Sequence, residues 1–205
     1  MDGVVLTRTN SQLDLGVIVN SELTWSDHIV SVIKKANSLG YLLQRSFIKP
    51  SVSTTLKLYK NFVRPVLEFA NNVWWPVLIG DQNRLESVQQ RMTLLPYGND
   101  PFRPSYSERL IIMSLPTLKD RRIRGDVIFT FKSLRLGDPL MQDLFTLCPY
   151  SRTRVHCFKL KKENFRTTVR QHFVTNRVFD TWNKLPEEVV QSPNVNVFKS
   201  RFDSL

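Results

Sequence analysis

Positive charge without matching acid is the first chemical feature of this chain. Between Arg152 and Arg170 the cations Arg152, Arg154, Lys159, Lys161, Lys162, Arg166 and Arg170 face one carboxylate, Glu163. Local neutralisation does not account for such a run. It reads either as a contact surface for phosphates or as a solvated face. Phe158 and Phe165 interleave with the charges, as base-stacking rings in the first reading and as anchors to the core in the second. A second cluster is Arg121-Arg122-Ile123-Arg124-Gly125-Asp126. Forked guanidinium groups grip phosphates. On a helix, however, Arg122 stands four residues from Asp126 and the two can pair; Glu108 and Asp120 are further acceptors. Arg122 therefore reads as structural, with Arg121 and Arg124 left as candidate phosphate contacts. A third set, Lys57, Lys60 and Arg64, lies on the face of one helical stretch opposite its apolar residues.

Other chemistries find little support. The histidines are His28, His156 and His172, and no Gly-x-Ser-x-Gly elbow accompanies them. His28 follows a helix start and reads as a capping or packing residue. The seven glycines are scattered, so no phosphate-cradling loop forms. Cys148 and Cys157, with His156 beside the second, fall short of the four ligands a zinc site needs. Two lone cysteines suit a reducing compartment. No apolar run approaches the ~20 residues of a membrane span, and no basic start followed by an apolar block marks secretion. The net charge of +11 points to a polyanion, nucleic acid first and an acidic membrane surface second. The 41% hydrophobic content over 205 residues supports a folded core.

The element that must position these groups is Leu56 to Pro76. Leu56, Tyr59, Val63, Val66, Leu67, Ala70 and Trp74 recur at helical spacing, which predicts one buried face. Pro65 lacks an N–H and crowds the carbonyl four residues back, so a kink or break is expected there. Upstream, Val4 to Leu6 and Leu13 to Val19 read as two strands around the turn Thr9-Asn10-Ser11, either the edge of a sheet completed elsewhere or packed on the helices. Thr24 to Asp27 reads as a capping box for a helix with Ile29, Val32, Ile33, Ala36, Leu39 and Leu43 on one face. Ser51 or Ser53 starts the central helix. Asp81 reads as the N-cap of a helix carrying Leu85, Val88, Met92 and Leu95. Pro96 to Pro104 is a loop. Capping boxes at Ser105–Glu108 and Thr117–Asp120 open two more helices, the second running to Gly137. Asp138-Pro139 starts a helical turn ending near Leu147. Phe173, Val174, Val178 and Trp182 fit one helix, after which Asn183 serves helix termination. Val195, Phe198 and Phe202 fit a last one. Tyr59, Leu67, Trp74, Trp182 and Phe198 are assigned to the core.

Five blocks carry a resemblance. LDLGVIVNSELTWSDHI, Leu13 to Ile29, resembles the end of the palm in reverse transcriptases of non-LTR retrotransposons. LYKNFVRPVLEFANNVWWP resembles the thumb of that family. RLESVQQRM, SYSERLIIMSLPTLKDRRIRGDVIFTFK and HFVTNRVFDTWNKLPEEVVQSPNVNVFKSRFD resemble the blocks downstream, most like the jockey-like branch of LINE-type elements. Phe69 stands where the family more usually has Tyr, and Trp75 where it has a small residue; both read as volume changes on a buried face. In that family, polymerisation needs an Asp-Asp turn and a third aspartate to hold two magnesium ions. This chain has no Asp-Asp pair.

The resemblance implies an RNA-directed DNA polymerase fragment that is no enzyme on its own, with no cofactor here and magnesium belonging to a palm outside the sequence. The expected fold is mainly α with a small N-terminal β element, a thumb-like helical bundle with a helical C-terminal cap. The expected divisions are 1-26, a β-rich palm edge; 27-147, the thumb-like domain; and 148-205, a basic segment and helical cap. The implied work is non-sequence-specific binding of template RNA and RNA–DNA hybrid or DNA, intracellularly, without a membrane, and alongside the polymerase palm in a longer chain. The alternative is a protein-interaction or inert remnant of a truncated mobile element.

Overall fold

The computed structural model describes residues 9–135, 144–148 and 156–205. The fold is mainly α with one small antiparallel sheet near the N-terminus. Contacts divide the chain into two units: Met1–Ala70 with Pro76–Leu118, and Asn71–Trp75 with Lys119–Leu205. This division differs from the one read along the sequence. The hairpin belongs with the helices that come after it, and the second boundary falls at Leu118 rather than at 147.

In the first unit, β1 (Ser11–Asp14) pairs with β2 (Val17–Asn20), Asp14 opposite Val17. The turn is therefore Leu15-Gly16, not Thr9 to Ser11, and Val4 to Leu6 lie outside the described residues. Both turn residues have positive φ, 43° and 86°, as a two-residue type I′ hairpin requires. Gly16 also sits against the Phe69 ring, where a Cβ would come within 3.2 Å. Phe69 is itself 54% exposed, so its position is not on a buried face.

Helix α1 (Ser26–Ser46) buries Ile29, Val32 and Ala36 and packs on β2 and on the helices Arg64–Glu68 and Ile79–Met92. Its N-cap is Trp25, without a side-chain cap bond. Thr24 is committed elsewhere: Asn20 Oδ1 accepts its N–H at 2.8 Å, and its hydroxyl accepts from Asn20 Nδ2 at 2.6 Å. The expected capping box is thus replaced by a turn that ties the hairpin to the helix. His28 adds to this, its Nδ1 accepting the Ile18 N–H at 3.2 Å.

The central stretch is three pieces, not one kinked helix. Helix α2 (Val52–Leu58) is capped by Ser51, whose side chain accepts the Thr54 N–H. A π turn comes next over Tyr59–Val63, closed by Arg64 N–H donating to the Tyr59 carbonyl. Helix α3 (Arg64–Glu68) then begins with Pro65 in its first turn, where a missing donor costs nothing. The irregularity thus falls one turn before the proline, because its ring crowds the Asn61 carbonyl and the wider π turn absorbs the clash. Tyr59, Val63 and Leu67 are buried. The helix ends at Glu68, and Ala70 has φ 52°. Trp74, expected on this helix, instead belongs to the second unit, where it is fully buried.

Helix α4 (Ile79–Met92) starts two residues before Asp81, with Leu78 as an N-cap that makes no side-chain bond. Asp81 is buried and accepts from Ser26 Oγ at 2.9 Å. Leu85, Val88 and Met92 are buried as expected. Helix α5 (Tyr106–Met113) opens with the expected capping box between Ser105 and Glu108. Hydrogen bonds to Ser105 hold the Glu108 carboxyl below its ordinary range.

The second unit is built on α6 (Leu118–Arg135), which begins in the first unit at Leu118. Gly137 and Asp138-Pro139 lie outside the described residues. The region near Leu147 is not helical: Leu147 makes an antiparallel bridge to Leu160. After α7 (Thr168–Gln171), the expected Phe173–Trp182 helix is broken into α8 (Val174–Arg177) and α9 (Phe179–Asn183). After α10 (Glu187–Val190) comes α11 (Val195–Phe202), capped by Asn194. The core joins Val127 and Phe131 of α6 to Phe145, Leu160, Val178, Trp182, Leu185, Val189, Val190 and Phe198. Phe131 and Phe198 stack at 4.2 Å between centroids.

Candidate nucleic-acid interface

The cations predicted from the sequence separate into those used inside the fold and those left at the surface. Arg124 belongs to the first group. Its Nε and Nη2 grip Asp203 at 2.6 and 2.7 Å, a bidentate pair across the second unit. That pairing, together with other charges, holds the Asp203 carboxyl below its ordinary range. Arg124 is thereby corrected from candidate phosphate contact to tether. Arg121, on the same helix, is half-buried. Arg122 is buried with its guanidinium 5.5 Å from the centre of the Trp74 ring, which bears out its structural assignment. Its expected partner, Asp126, feels the Arg122 charge but is gripped by a residue the sequence did not point to. Arg177 donates Nε and Nη2 to both Asp126 oxygens, at 2.7 and 2.8 Å. Burial pushes the Asp126 carboxyl above its ordinary value, and Arg177 opposes that rise. Arg177 also reaches the carbonyls of Asn71, Asn72 and His172, and lies 4.8 Å from the Trp75 ring centre. Gly125 leaves room for the Asn71 side chain, which a Cβ would meet at 3.2 Å.

In the first unit Lys57 is exposed, while Lys60 and Arg64 are half-buried. Arg64 stands 3.9 Å from Glu68, four residues on, a contact worth little at a surface. The centre beneath them is polar. The Tyr59 hydroxyl donates to Gln89 Oε1, and the Gln89 amide donates to Tyr106 and to the Pro116 carbonyl, both at 3.0 Å. Tyr106 donates to Glu86, whose other oxygen accepts the Leu118 N–H at 3.0 Å. Burial, first among the causes, raises both tyrosine hydroxyls well above their ordinary range. The two tyrosine hydroxyls are satisfied hydrogen-bonding partners, not acids poised for neutral pH.

The basic run is the remaining set. Arg152 and Arg154 lie outside the described residues. Lys159 is half-buried and its carbonyl accepts the Cys148 N–H at 2.8 Å. At Leu160 the chain is held from two sides. Lys161 N–H donates to the Thr146 carbonyl at 2.7 Å, and Asn183 clamps Leu160 by accepting its N–H at 2.9 Å and donating to its carbonyl at 3.0 Å. Asn183 is thus a clamp rather than a helix terminator. From Lys161 the chain runs without helix or strand to Thr167, which caps α7 by accepting the Arg170 N–H at 3.3 Å. Glu163 pairs with Arg170, whose guanidinium lies 5.0 Å from the Phe173 ring centre. The run's one acid and its last cation therefore neutralise each other. Lys161, Lys162 and Arg166 remain exposed, and among the described residues no carboxylate pairs with them. The Lys162 ammonium lies 5.8 Å from the centre of the Phe179 ring. Phe158 is an anchor, packed against the core, covered by Arg135 and offering its carbonyl to Trp182 Nε1 at 2.8 Å. Phe165 is 39% exposed.

No family model, curated protein or solved structure matches this chain. Among the described residues no group of His, Cys, Asp or Glu is placed to hold a metal ion, and no helix is long and apolar enough to cross a membrane.

His28 and His156 are buried and His172 is half-buried. Burial, first among the causes, lowers each imidazole from its ordinary 6.5, with Arg177 adding to the effect at His172 and the Trp182 carbonyl opposing it at His156. A lowered folded-state value means that the unfolded chain binds more protons just below pH 6.5. Stability is then full above that value and is lost as pH falls from it. Denaturant midpoints measured at about pH 7.5 and about pH 5.5 should be lower at the acid value. A His28→Gln variant should lose part of that difference; an unchanged difference would take His28 out of the account.

Proposed function

We propose that this chain is the nucleic-acid-holding part of a reverse transcriptase of the non-LTR, jockey-like LINE type, comprising the thumb and the blocks downstream of it. It binds template RNA and RNA–DNA product without reading sequence, through phosphates and shape, at a nuclear site of action. The observation that carries the reading is the pinned segment on which Lys161, Lys162 and Arg166 are exposed while its one carboxylate, Glu163, is paired with Arg170. Lys57 and Lys60 supply further positive charge in the first unit. The chain performs no polymerisation by itself, since the paired aspartates that hold magnesium in such enzymes are absent from its sequence.

The test is a titration of labelled single-stranded RNA and RNA–DNA hybrid at several salt concentrations. Binding should weaken steeply with salt, with a log–log slope of about −0.7 per phosphate contact on single strands. A Lys161→Glu/Lys162→Glu variant should bind more weakly and lose about 1.4 of that slope. A folded protein that binds neither probe at low salt would overturn the reading.

A second reading has its own observation. Strand β1 is exposed along all four residues, and the sheet has only two strands among the described residues. An open edge can pair with a strand of another protein. Backbone pairing of that kind is nearly indifferent to salt, which separates it from phosphate contact.

A further inference from the structure

We infer that the segment from Lys161 to Arg166 takes an unpaired strand, with Phe165 as the platform on which a base stacks. The inference rests on the nucleic-acid reading above and narrows its ligand at this place to single-stranded nucleic acid.

Three observations combine. First, the segment has no helix or strand of its own yet is held. Its start is fixed by the Asn183 clamp on Leu160 and by the Lys161 N–H bond to Thr146, and its end by the Glu163–Arg170 pair and the Thr167 cap. A pre-ordered backbone loses little conformational freedom on binding. Second, the aromatic ring lies among the unneutralised cations. Phe165 is 39% exposed, beside Arg166 and three residues beyond Lys162. Backbone-tracking cations alternating with an accessible ring form the general pattern by which unpaired strands are held, because every base presents a π face and every linkage a negative charge. Third, the other ring of the run is not available. Phe158 is packed into the core beneath Arg135, so stacking falls to Phe165 alone.

A duplex satisfies only half of this arrangement. Its phosphates can meet Lys161, Lys162 and Arg166, but its bases are already stacked on each other. The ring should therefore add affinity for single strands and almost none for duplex, while the charges should serve both. The segment alone does not distinguish RNA from DNA, since stacking and phosphate attraction are common to both.

The experiment uses the full chain and four probes of one mixed sequence: single-stranded RNA, single-stranded DNA, the RNA–DNA hybrid and the DNA duplex. Phe165→Leu keeps an apolar side chain for any anchoring role and removes the ring. Phe165→Trp keeps a ring. Phe165→Leu should weaken single-strand binding about ten-fold, leave hybrid and duplex binding within two-fold, and leave the melting midpoint unchanged. Phe165→Trp should bind single strands at least as well as the parent. Equal loss on RNA and DNA single strands identifies stacking; loss on RNA alone overturns it, since the bases of both present a π face. The inference is overturned if Phe165→Leu binds single strands like the parent, or if it loses hybrid and duplex binding equally. In either case the broader reading survives as long as Lys161→Glu/Lys162→Glu still reduces binding. Failure of the parent to bind any probe would overturn both.

Discussion

Trp182→Ala is expected to destabilise the protein by about 3–5 kcal/mol, a large share of the stability of an ordinary domain. The indole is fully buried at the centre of the second unit's core. Phe198 lies 6.2 Å away and His156 meets it edge-on at 6.0 Å. Truncation removes this packing and opens a cavity that fixed helices on several sides cannot close. It also orphans the Phe158 carbonyl, which accepts from Nε1 at 2.8 Å. The consequence extends to the basic segment, because Phe158 and the Asn183 clamp both hold the chain that leads into it. Trp182→Phe keeps a ring and loses the donor, so it should cost much less. Denaturant melts of the parent and both variants provide the check. A Trp182→Ala midpoint equal to that of the parent would remove the residue from its central role.

Arg177→Met should cost a similar amount, about 3–5 kcal/mol, by a different route. Breaking this pair leaves Asp126 ionised and buried, and leaves the carbonyls of Asn71, Asn72 and His172 without their shared donor. The two side chains are 7% and 4% exposed, so water does not replace the lost partner. The same pair sets the sign of the pH dependence. Burial already raises the Asp126 carboxyl, and loss of Arg177 would raise it further. A raised folded-state value means that the folded protein binds the extra proton, so the variant's deficit should be largest at neutral pH and shrink as pH falls through the carboxylate range. Arg177→Met/Asp126→Leu should recover part of the loss, since the buried carboxylate left without its bidentate partner is then removed. A double variant as unstable as Arg177→Met alone would show that the carbonyl contacts, not the charge, carry the effect.

Local chemistry was legible where one turn of chain contains both partners. The Ser105–Glu108 capping box, the Ser51 cap and the apolar faces of α1 and α4 all rest on residues within a few positions of each other. Local signals misled where another residue, near or far, competed for the same group. Thr24 was drawn to Asn20, and Asp81 to Ser26, fifty-five residues away. Asn183 resembled a helix terminator but faced an edge of backbone from twenty-three residues upstream. At Pro65 the sequence located a break to within one turn, but nothing local specified that a π turn would absorb it.

By itself the sequence determined the fold class, the buried set Tyr59, Leu67, Trp74, Trp182 and Phe198, and the excess of positive charge after Lys159, because hydrophobic period and net charge are properties of the chain alone. Only the tertiary structure decided which cations are spent. Arg124 goes to Asp203, Arg177 to Asp126 and Arg170 to Glu163, leaving Lys161, Lys162 and Arg166 outside. The physical reason is that a salt bridge depends on distance in space. Two of these three pairs join residues more than fifty positions apart, and no pattern along the chain encodes such a meeting.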